Sequence, residues 1–408
     1  MLGAAVLAFA IFSFYSAKWG LANSISTRAD DAEISEFAAG LSPNDSQTRY
    51  AHGVLLRQTF DPADAERSLA EFEAATALAP HNYLLWLDYG RALEQSGDRE
   101  RAVAAFRTAL ELAPNYAQPK WILGNALLRQ GDTESSVRLI TEAAETEERF
   151  AEAAAATLRQ VFDGDLTAVT ASLGSAPGVR SRLIPILARE QRFEEAMAMW
   201  SLYSAEEKRR RFADAGKGFA DALIAAKRYR DAIGVLASIS TDRLSEHGAG
   251  KVIDGDLEQL GPVKYRSVFE WRFADGATPL VGASEGQKRG GRYSLLISFP
   301  PASTAFREIA QTVAVEPGRT YEFQIYVRSA LKTNAVLRWQ AVDLATGERL
   351  AATSDLAPAG EWSAVTFRFT AGTGDGVDLK LVKECPAGTC PIEGSIWFDD
   401  ASLRTAEQ

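Results

Sequence analysis

Three hydrophobic patterns follow one another along the chain, and each predicts a different kind of element. Residues 2–17, LGAAVLAFAIFSFYSA, carry no charge and are apolar on every side of a helical projection. From Ser46 to about Ile239 the chain is rich in Ala, Leu, Glu and Arg, and its apolar residues recur with the period of amphipathic helices. Near residue 250 the period falls to two. Alternating runs appear at Tyr293–Phe299, Tyr321–Arg328, Ala335–Val342, Ala364–Phe369, Leu379–Val382 and Ser395–Phe398, separated by turns such as Glu316-Pro317-Gly318-Arg319 and Thr373-Gly374-Asp375-Gly376. This predicts an antiparallel β-sandwich. The fold class is multidomain, α then β.

Within the helical region the stretch Tyr83–Tyr116 is the most regular. Counting Tyr83 as position 1, Trp86 falls at 4, Gly90 at 8, Ala102 at 20, Phe106 at 24, Ala109 at 27 and Pro114 at 32. Gly90 and Ala102 are small where two antiparallel helices cross closely, Trp86, Leu93 and Phe106 fill the space around the crossing, and Pro114 stops the second helix. The stretch resembles a tetratricopeptide repeat over its full 34 residues. A preceding unit, Ser46–Asn82, keeps Gly53, Phe72, Ala75 and Pro80, with a longer turn at Phe60–Asp64. A following unit, Ala117–Phe150, keeps Gly124, Leu127, Gly131 and Ala143, with Lys120 in place of the aromatic and Trp121 beside it. At Gly97-Asp98 and Gly131-Asp132, Gly supplies an unusual backbone angle and Asp caps the next helix. Degenerate hairpins are expected at 151–173, 179–203 and 207–240, with turns near Gly164, Gln191-Arg192 and Lys227-Arg228. The resemblance implies stacked hairpins with a groove that binds a protein partner, and it gives Trp86, Gly90, Ala102, Phe106, Ala109, Pro114 and Gly124 packing roles.

Four motifs in the C-terminal half resemble the family 4/9 carbohydrate-binding modules, a galactose-binding-like jelly roll. They are Val252-Ile253-Asp254-Gly255-Asp256-Leu257-Glu258 for the opening strand, Val315–Phe323 for a strand entry, Glu361–Phe367, and Ile396–Leu403 for the closing strand. Asp254 stands where the family has Asn, and Leu257 where it has Phe. The resemblance implies glycan binding and a structural calcium ion with Glu258 and Asp400 as side-chain ligands, hard oxygens that suit this cation.

Alternation places Tyr321, Phe323, Ile325, Val327, Leu337 and Trp339 inward. Tyr326, Arg328, Arg338 and Gln340 then share an outward face that Lys380 joins from a neighbouring strand, a candidate glycan site. Trp271, near loops, is a further aromatic candidate, while Trp362 reads as core. Cys385 and Cys390, separated by four residues across a hairpin tip, are spaced for a local disulfide.

Net charge is −10. Residues 251–408 hold 17 Lys/Arg and 20 Asp/Glu, a net −3, which leaves −7 to residues 1–250. No basic patch of the kind nucleic acid requires is present, and Lys208-Arg209-Arg210-Arg211 reads as a solvated helix face. The three His residues, His52, His81 and His247, are scattered. No Gly-rich phosphate loop, nucleophile elbow or His-based triad appears, so the chain reads as a binder rather than an enzyme, with no catalytic cofactor.

The apolar run at 2–17 is slightly short of a full span. It reads as an uncleaved membrane anchor or as a cleaved signal peptide ending at Gly20-Leu21-Ala22. Lys18 and Arg28 after it weakly favour a cytoplasmic body. The cysteine pair favours an oxidising compartment and weighs more. The expected layout is an anchor or signal at 1–22, a linker with a lead-in helix at 23–45, repeats at 46–245 (best at 46–150, degenerate at 151–240), and a sandwich at 250–405. The functional expectation is an inner-membrane-anchored periplasmic or exported scaffold, its repeats holding a protein and its sandwich a glycan, in exopolysaccharide or envelope assembly. The alternative is an assembly factor whose sandwich binds protein.

Overall fold

The computed structural model describes residues 2–59, 61–173, 176–240, 248–260, 267–356, 358–386 and 388–406. Phe60, His247, Ala387 and the last residues of the expected repeat region, 241–245, lie outside the described residues.

The chain divides into two compact units, residues 1–183 and 184–408. In the first, α1 (Leu2–Ser26) and α2 (Ala32–Leu41) precede three helical hairpins: α3 (Ser46–Gln58) with α4 (Pro62–Leu78), α5 (Tyr83–Gln95) with α6 (Arg99–Leu112), and α7 (Ala117–Gln130) with α8 (Thr133–Thr146). A 3-10 turn, Glu148–Phe150, leads to α9 (Ala151–Val161), α10 (Leu166–Leu173) and the start of α11 (Pro177–Arg189). The helix starts follow a simple rule. Asp31, Asp45, Asp61, Asn82, Asp98 and Asp132 each accept a hydrogen bond from a first-turn backbone N–H through the side chain. Gly97 and Gly131 adopt the expected left-handed backbone between the helices of their hairpins.

The hairpin core is built from the residues that the repeat pattern singled out. Phe72, Ala102, Phe106 and Ala109 are fully buried, and Leu87, Leu93, Leu123 and Leu127 close around them. Gly90 faces the Phe106 ring, and Gly124 faces Ile140. Trp86 is half-buried and donates its indole N–H to the Pro80 carbonyl at 2.8 Å. Trp121 stacks on Phe150 with ring centroids 4.9 Å apart. Lys120, in the aromatic's place, pairs with Glu142 at 3.3 Å. Pro114 is exposed just beyond α6.

Helix α1 is long and apolar enough to cross a membrane. It continues to Ser26, past the expected boundary at 22. Residues 3–17 are exposed on every side, but Ala22 and Ser26 are buried, and Trp19 donates its indole N–H to Asp45 at 3.0 Å. The last turns of α1 are therefore part of the folded unit rather than a tether.

The second unit begins within α11, not near residue 250. It contains α12 (Phe193–Ser201), α13 (Ala205–Arg210), α14 (Ala213–Ala225) and α15 (Tyr229–Ile239), then ten strands among the described residues. Helix α13 is an addition to the expected hairpin at 207–240. It holds Lys208, Arg209 and Arg210, and Arg210 pairs with Glu206 at 3.2 Å.

The strands form two five-stranded antiparallel sheets. Sheet I has the order β1 (Arg272–Phe273), β4 (Ile309–Ala314), β9 (Gly376–Glu384), β6 (Val336–Asp343), β7 (Arg349–Ala352). Sheet II has the order β2 (Leu280–Ser284), β3 (Ser294–Ser303), β10 (Ile392–Thr405), β5 (Thr320–Thr333), β8 (Ala359–Thr370). Strict burial alternation along β5 and β6 sends Tyr321, Phe323, Ile325, Val327, Leu337 and Trp339 into the space between the sheets, as expected. Trp339 is the hub, with Phe398, Trp271 and Phe323 around it at centroid distances of 5.4, 5.7 and 5.8 Å.

The expected opening strand Val252–Glu258 is instead a run of turns. Asp254 and Leu257 adopt positive φ, 50° and 54°, which falls outside the β region of a regular strand. The buried Gln311 side chain takes the place of a strand partner: it accepts from Ile253 N–H at 3.2 Å and donates to the Ile253 carbonyl at 2.8 Å. Asp, like Asn, tolerates the left-handed region better than most residues, which suits Asp254 to this turn.

Candidate functional site

The five residues expected on one glycan-binding face lie on two opposite faces. Tyr326 and Arg328 point outward from β5 in sheet II, whereas Arg338, Gln340 and Lys380 point outward from β6 and β9 in sheet I. The link between β5 and β6, Asn334-Ala335, carries the chain from one sheet to the other, so alternation alone could not match their faces. On sheet I the cations are neutralised. Arg338 bonds Asp355 at 2.8 Å and Glu384 at 3.0 Å, and Lys380 stands 3.6 Å from Glu308.

Trp271 is also corrected. It is 1% exposed, and its indole N–H donates to the Asp254 carbonyl at 3.0 Å. It is a core residue that pins the opening turns and cannot stack on a sugar.

Tyr326 is covered by a guanidinium. The Arg289 Cζ lies 3.6 Å from the Tyr326 ring centroid, and Arg289 also pairs with Asp400. The buried Asp399 carboxylate holds the loop that carries Arg289. Its Oδ2 accepts from Arg289 N–H at 2.8 Å and Gly290 N–H at 3.3 Å, and its Oδ1 accepts from Asp400 N–H at 2.8 Å. Burial pushes the Asp399 carboxyl above the usual range, and the backbone donors oppose that shift.

Next to this capped end, sheet II presents a row that the sequence reading did not assemble. Trp397 on β10 is directly opposite Arg328 on β5. Between Val327↔Ser363 and Ser329↔Ala359 a bulge in β8 places Gly360, Glu361 and Trp362 opposite Arg328 on its other side. Ile396, Phe398 and Phe367 are buried in the core and Val365 packs against it, so alternation sends Trp397 to the outer face, while Trp362 lies in the β8 bulge beside the same row. Both are half-buried. They stand two strand spacings apart, roughly 9.5 Å, with Arg328 between them and without a carboxylate partner among the described residues. Two flat aromatic surfaces flanking an uncompensated guanidinium suit a chain of sugar rings: the indoles take the apolar ring faces and the guanidinium the oxygens. Trp362, expected in the core, is only half-buried. The signal for Trp397 was present in Ile396-Trp397-Phe398, where inward neighbours require an outward indole.

The calcium expectation fails on the donors. Glu258 and Asp400 both face residues 289–293, but Glu258 Oε1 already accepts from Arg292 N–H at 2.7 Å and Tyr293 N–H at 3.0 Å, and Asp400 is paired with Arg289. Among the described residues no three His, Cys, Asp or Glu gather as a group able to hold a metal ion. Calcium takes about six to eight oxygens, and this donor set does not fit it.

Cys385 and Cys390 form the expected disulfide, with Cα atoms 5.6 Å apart.

Comparisons with known proteins fall on these same two regions. Residues 83–116 match the tetratricopeptide repeat family and residues 252–389 match a carbohydrate binding domain family. No curated protein sequence matches the chain significantly. Among solved structures, MamA 41-end from Desulfovibrio magneticus RS-1 is 17% identical, covering 40% of this chain and 94% of its own, with a TM-score of 0.33. A structure titled "CBM4 structure and function" is 14% identical, covering 38% of this chain and 99% of its own, with a TM-score of 0.29. A thermophilic tetratricopeptide protein of Thermus thermophilus is 20% identical, covering 31% of this chain and 71% of its own, with a TM-score of 0.28. Both matched families are non-catalytic binding modules, one associated with protein and the other with carbohydrate. The chain thus carries a tetratricopeptide repeat at residues 83–116 and a carbohydrate binding domain at residues 252–389.

Proposed function

We propose that this protein is a membrane-tethered, extracytoplasmic scaffold without catalytic activity, whose repeats hold a protein partner and whose sandwich holds a glycan during envelope or exopolysaccharide assembly. The observation that carries the glycan reading is the row Trp397, Arg328, Trp362 on the outer face of sheet II. The tether reading is supported by α1, apolar and exposed on every side over residues 3–17. The disulfide Cys385–Cys390 supports an oxidising compartment.

Titration calorimetry of the full-length protein in detergent against a panel of neutral and anionic polysaccharides tests the glycan reading. Binding to at least one, weakened by Trp397→Ala, is expected. Absence of binding to every member, together with a purified protein that docks on the same face, would assign the sandwich to protein recognition instead.

A further inference from the structure

Helix α2 is amphipathic in an inverted sense. Small residues, Ser35, Ala38 and Ala39, fill its buried side, while its large apolar residues Ile34 and Phe37 are 43% and 60% exposed. With the half-buried Leu41 they follow at i, i+3 and i+7, a single stripe along one helix face. Glu36, off this stripe, pairs with Arg67 of α4 at 3.1 Å. The stripe also has a definite level along α1. Helix α2 packs against α1, and Asp45, just beyond the end of α2, accepts the Trp19 indole N–H at 3.0 Å. The chain therefore runs back alongside α1 until it is level with Trp19. A membrane crossing takes about 20 residues. The apolar stretch Gly3–Ser26 has 24, so every such crossing within it includes Trp19, Leu21 and Ala22. Lys18 is the single charge of that stretch, and a charge so placed keeps this level near the headgroups. Trp19 and Leu21 are exposed there, and tryptophan favours the interface. The bilayer surface thus meets the protein at the level that α2 occupies.

We propose that α2 lies against the headgroup layer of the membrane that α1 enters, with Ile34 and Phe37 immersed in it. This rests on α1 being a membrane anchor and goes beyond it, because the first hairpin is then seated on the lipid surface instead of being held off it by a tether. The occupant is lipid rather than another protein, since α1 itself carries the bilayer to the level of the stripe. Interfacial helices bury an apolar face about 5–10 Å deep, which suits side chains of this size. The contact is apolar. Helix α2 offers Glu33 and Glu36 and no cation, so neutral lipid serves it as well as anionic lipid.

Full-length protein reconstituted in phosphatidylcholine vesicles tests this. Each sample carries one added cysteine bearing a nitrobenzoxadiazole label, the native pair being closed as a disulfide. The substitutions are Ile34→Cys, Phe37→Cys, Phe12→Cys and Glu134→Cys, and circular dichroism confirms that each variant is folded. Lipid with a nitroxide at the top of its acyl chain should quench the labels at positions 34 and 37. Lipid with a nitroxide near the middle of the chain should quench position 12 more strongly than either. Neither should quench position 134, an exposed site on α8 in the third hairpin. Quenching at 34 and 37 should persist unchanged when part of the lipid is made anionic. Quenching at 12 without quenching at 34 and 37 overturns the inference and leaves the anchor standing. Labels at 34 and 37 that are shielded from aqueous iodide yet untouched by the lipid nitroxides also overturn it, because a protein, such as a second copy of the chain, then covers the stripe. Quenching at 34 and 37 that appears only with anionic lipid overturns the apolar contact. Absence of quenching at 12 sinks both the inference and the anchor.

Discussion

Asp375 caps the first turn of the helix that begins at Tyr229: its Oδ1 accepts from Tyr229 N–H at 3.0 Å and its Oδ2 from Arg230 N–H at 2.9 Å. The Tyr229 ring also meets Phe269 edge-on, with centroids 6.4 Å apart. A residue of the sandwich thus completes a helix that precedes it, and both belong to the second unit, residues 184–408. A chain truncated to residues 184–408 should unfold cooperatively in urea, whereas residues 250–408 should be markedly less stable. Asp375→Ala should cost the longer fragment about 1–2 kcal/mol, the loss of a charged cap at a helix N-terminus. Equal midpoints for the two fragments would show that the helices do not support the sandwich.

Gly90 is held at its position by Phe106. A Cβ built there would stand 2.6 Å from Cδ1 of the ring, and the ring is fully buried with no room to withdraw. Gly90→Ala should therefore destabilise by about 1–3 kcal/mol despite the higher helix propensity of Ala. Gly218→Ala, in the middle of a helix with nothing within 4 Å of the added atom, should stabilise by about 0.5–1 kcal/mol. Denaturant midpoints check both, and a stabilising Gly90→Ala would contradict the tight crossing.

Much of the helical architecture was legible because its boundaries are written in local chemistry: Asp98 and Asp132 as caps, Gly97 and Gly131 as turns, Gly90 and Ala102 as close contacts. The inward residues of β5 and β6 were legible for the same reason, since alternation is a local property. The shared glycan face was not. Alternation says which side of its own sheet a residue takes, but not which sheet the strand joins, and two residues between Thr333 and Val336 suffice to change sheets. Consecutive strands commonly pair, so β5 beside β6 was the natural expectation. The opening turns were missed because Val252 and Ile253 have high β propensity, while the Gln311 side chain that binds them is 58 residues away in sequence.

Burial pushes the Asp254 carboxyl up to about 6, with the neighbouring Asp256 adding to the shift and the Gln259 and Glu258 backbone N–H groups opposing it. The folded value thus exceeds the unfolded one, near 3.8. The folded state binds the extra proton between those values, so the stability associated with Asp254 is fully present below about pH 4 and is lost as pH rises through about 6. Asp254→Asn, which keeps an oxygen acceptor for the two backbone donors, should flatten that slope and raise the melting temperature more at pH 7 than at pH 4. An unchanged slope would place the proton elsewhere.

Binding of the full-length protein to a polysaccharide panel, measured for wild type, Trp397→Ala, Trp362→Ala, Arg328→Gln and Tyr326→Ala, tests the proposed sugar-binding face most directly. The first three substitutions should each weaken binding roughly tenfold or more, as expected for losing a stacked ring or a charge-assisted hydrogen bond. Tyr326→Ala, whose ring is already covered by Arg289, should change it little. Undiminished binding in Trp397→Ala and Trp362→Ala, or a greater loss in Tyr326→Ala than in either, would contradict the assignment.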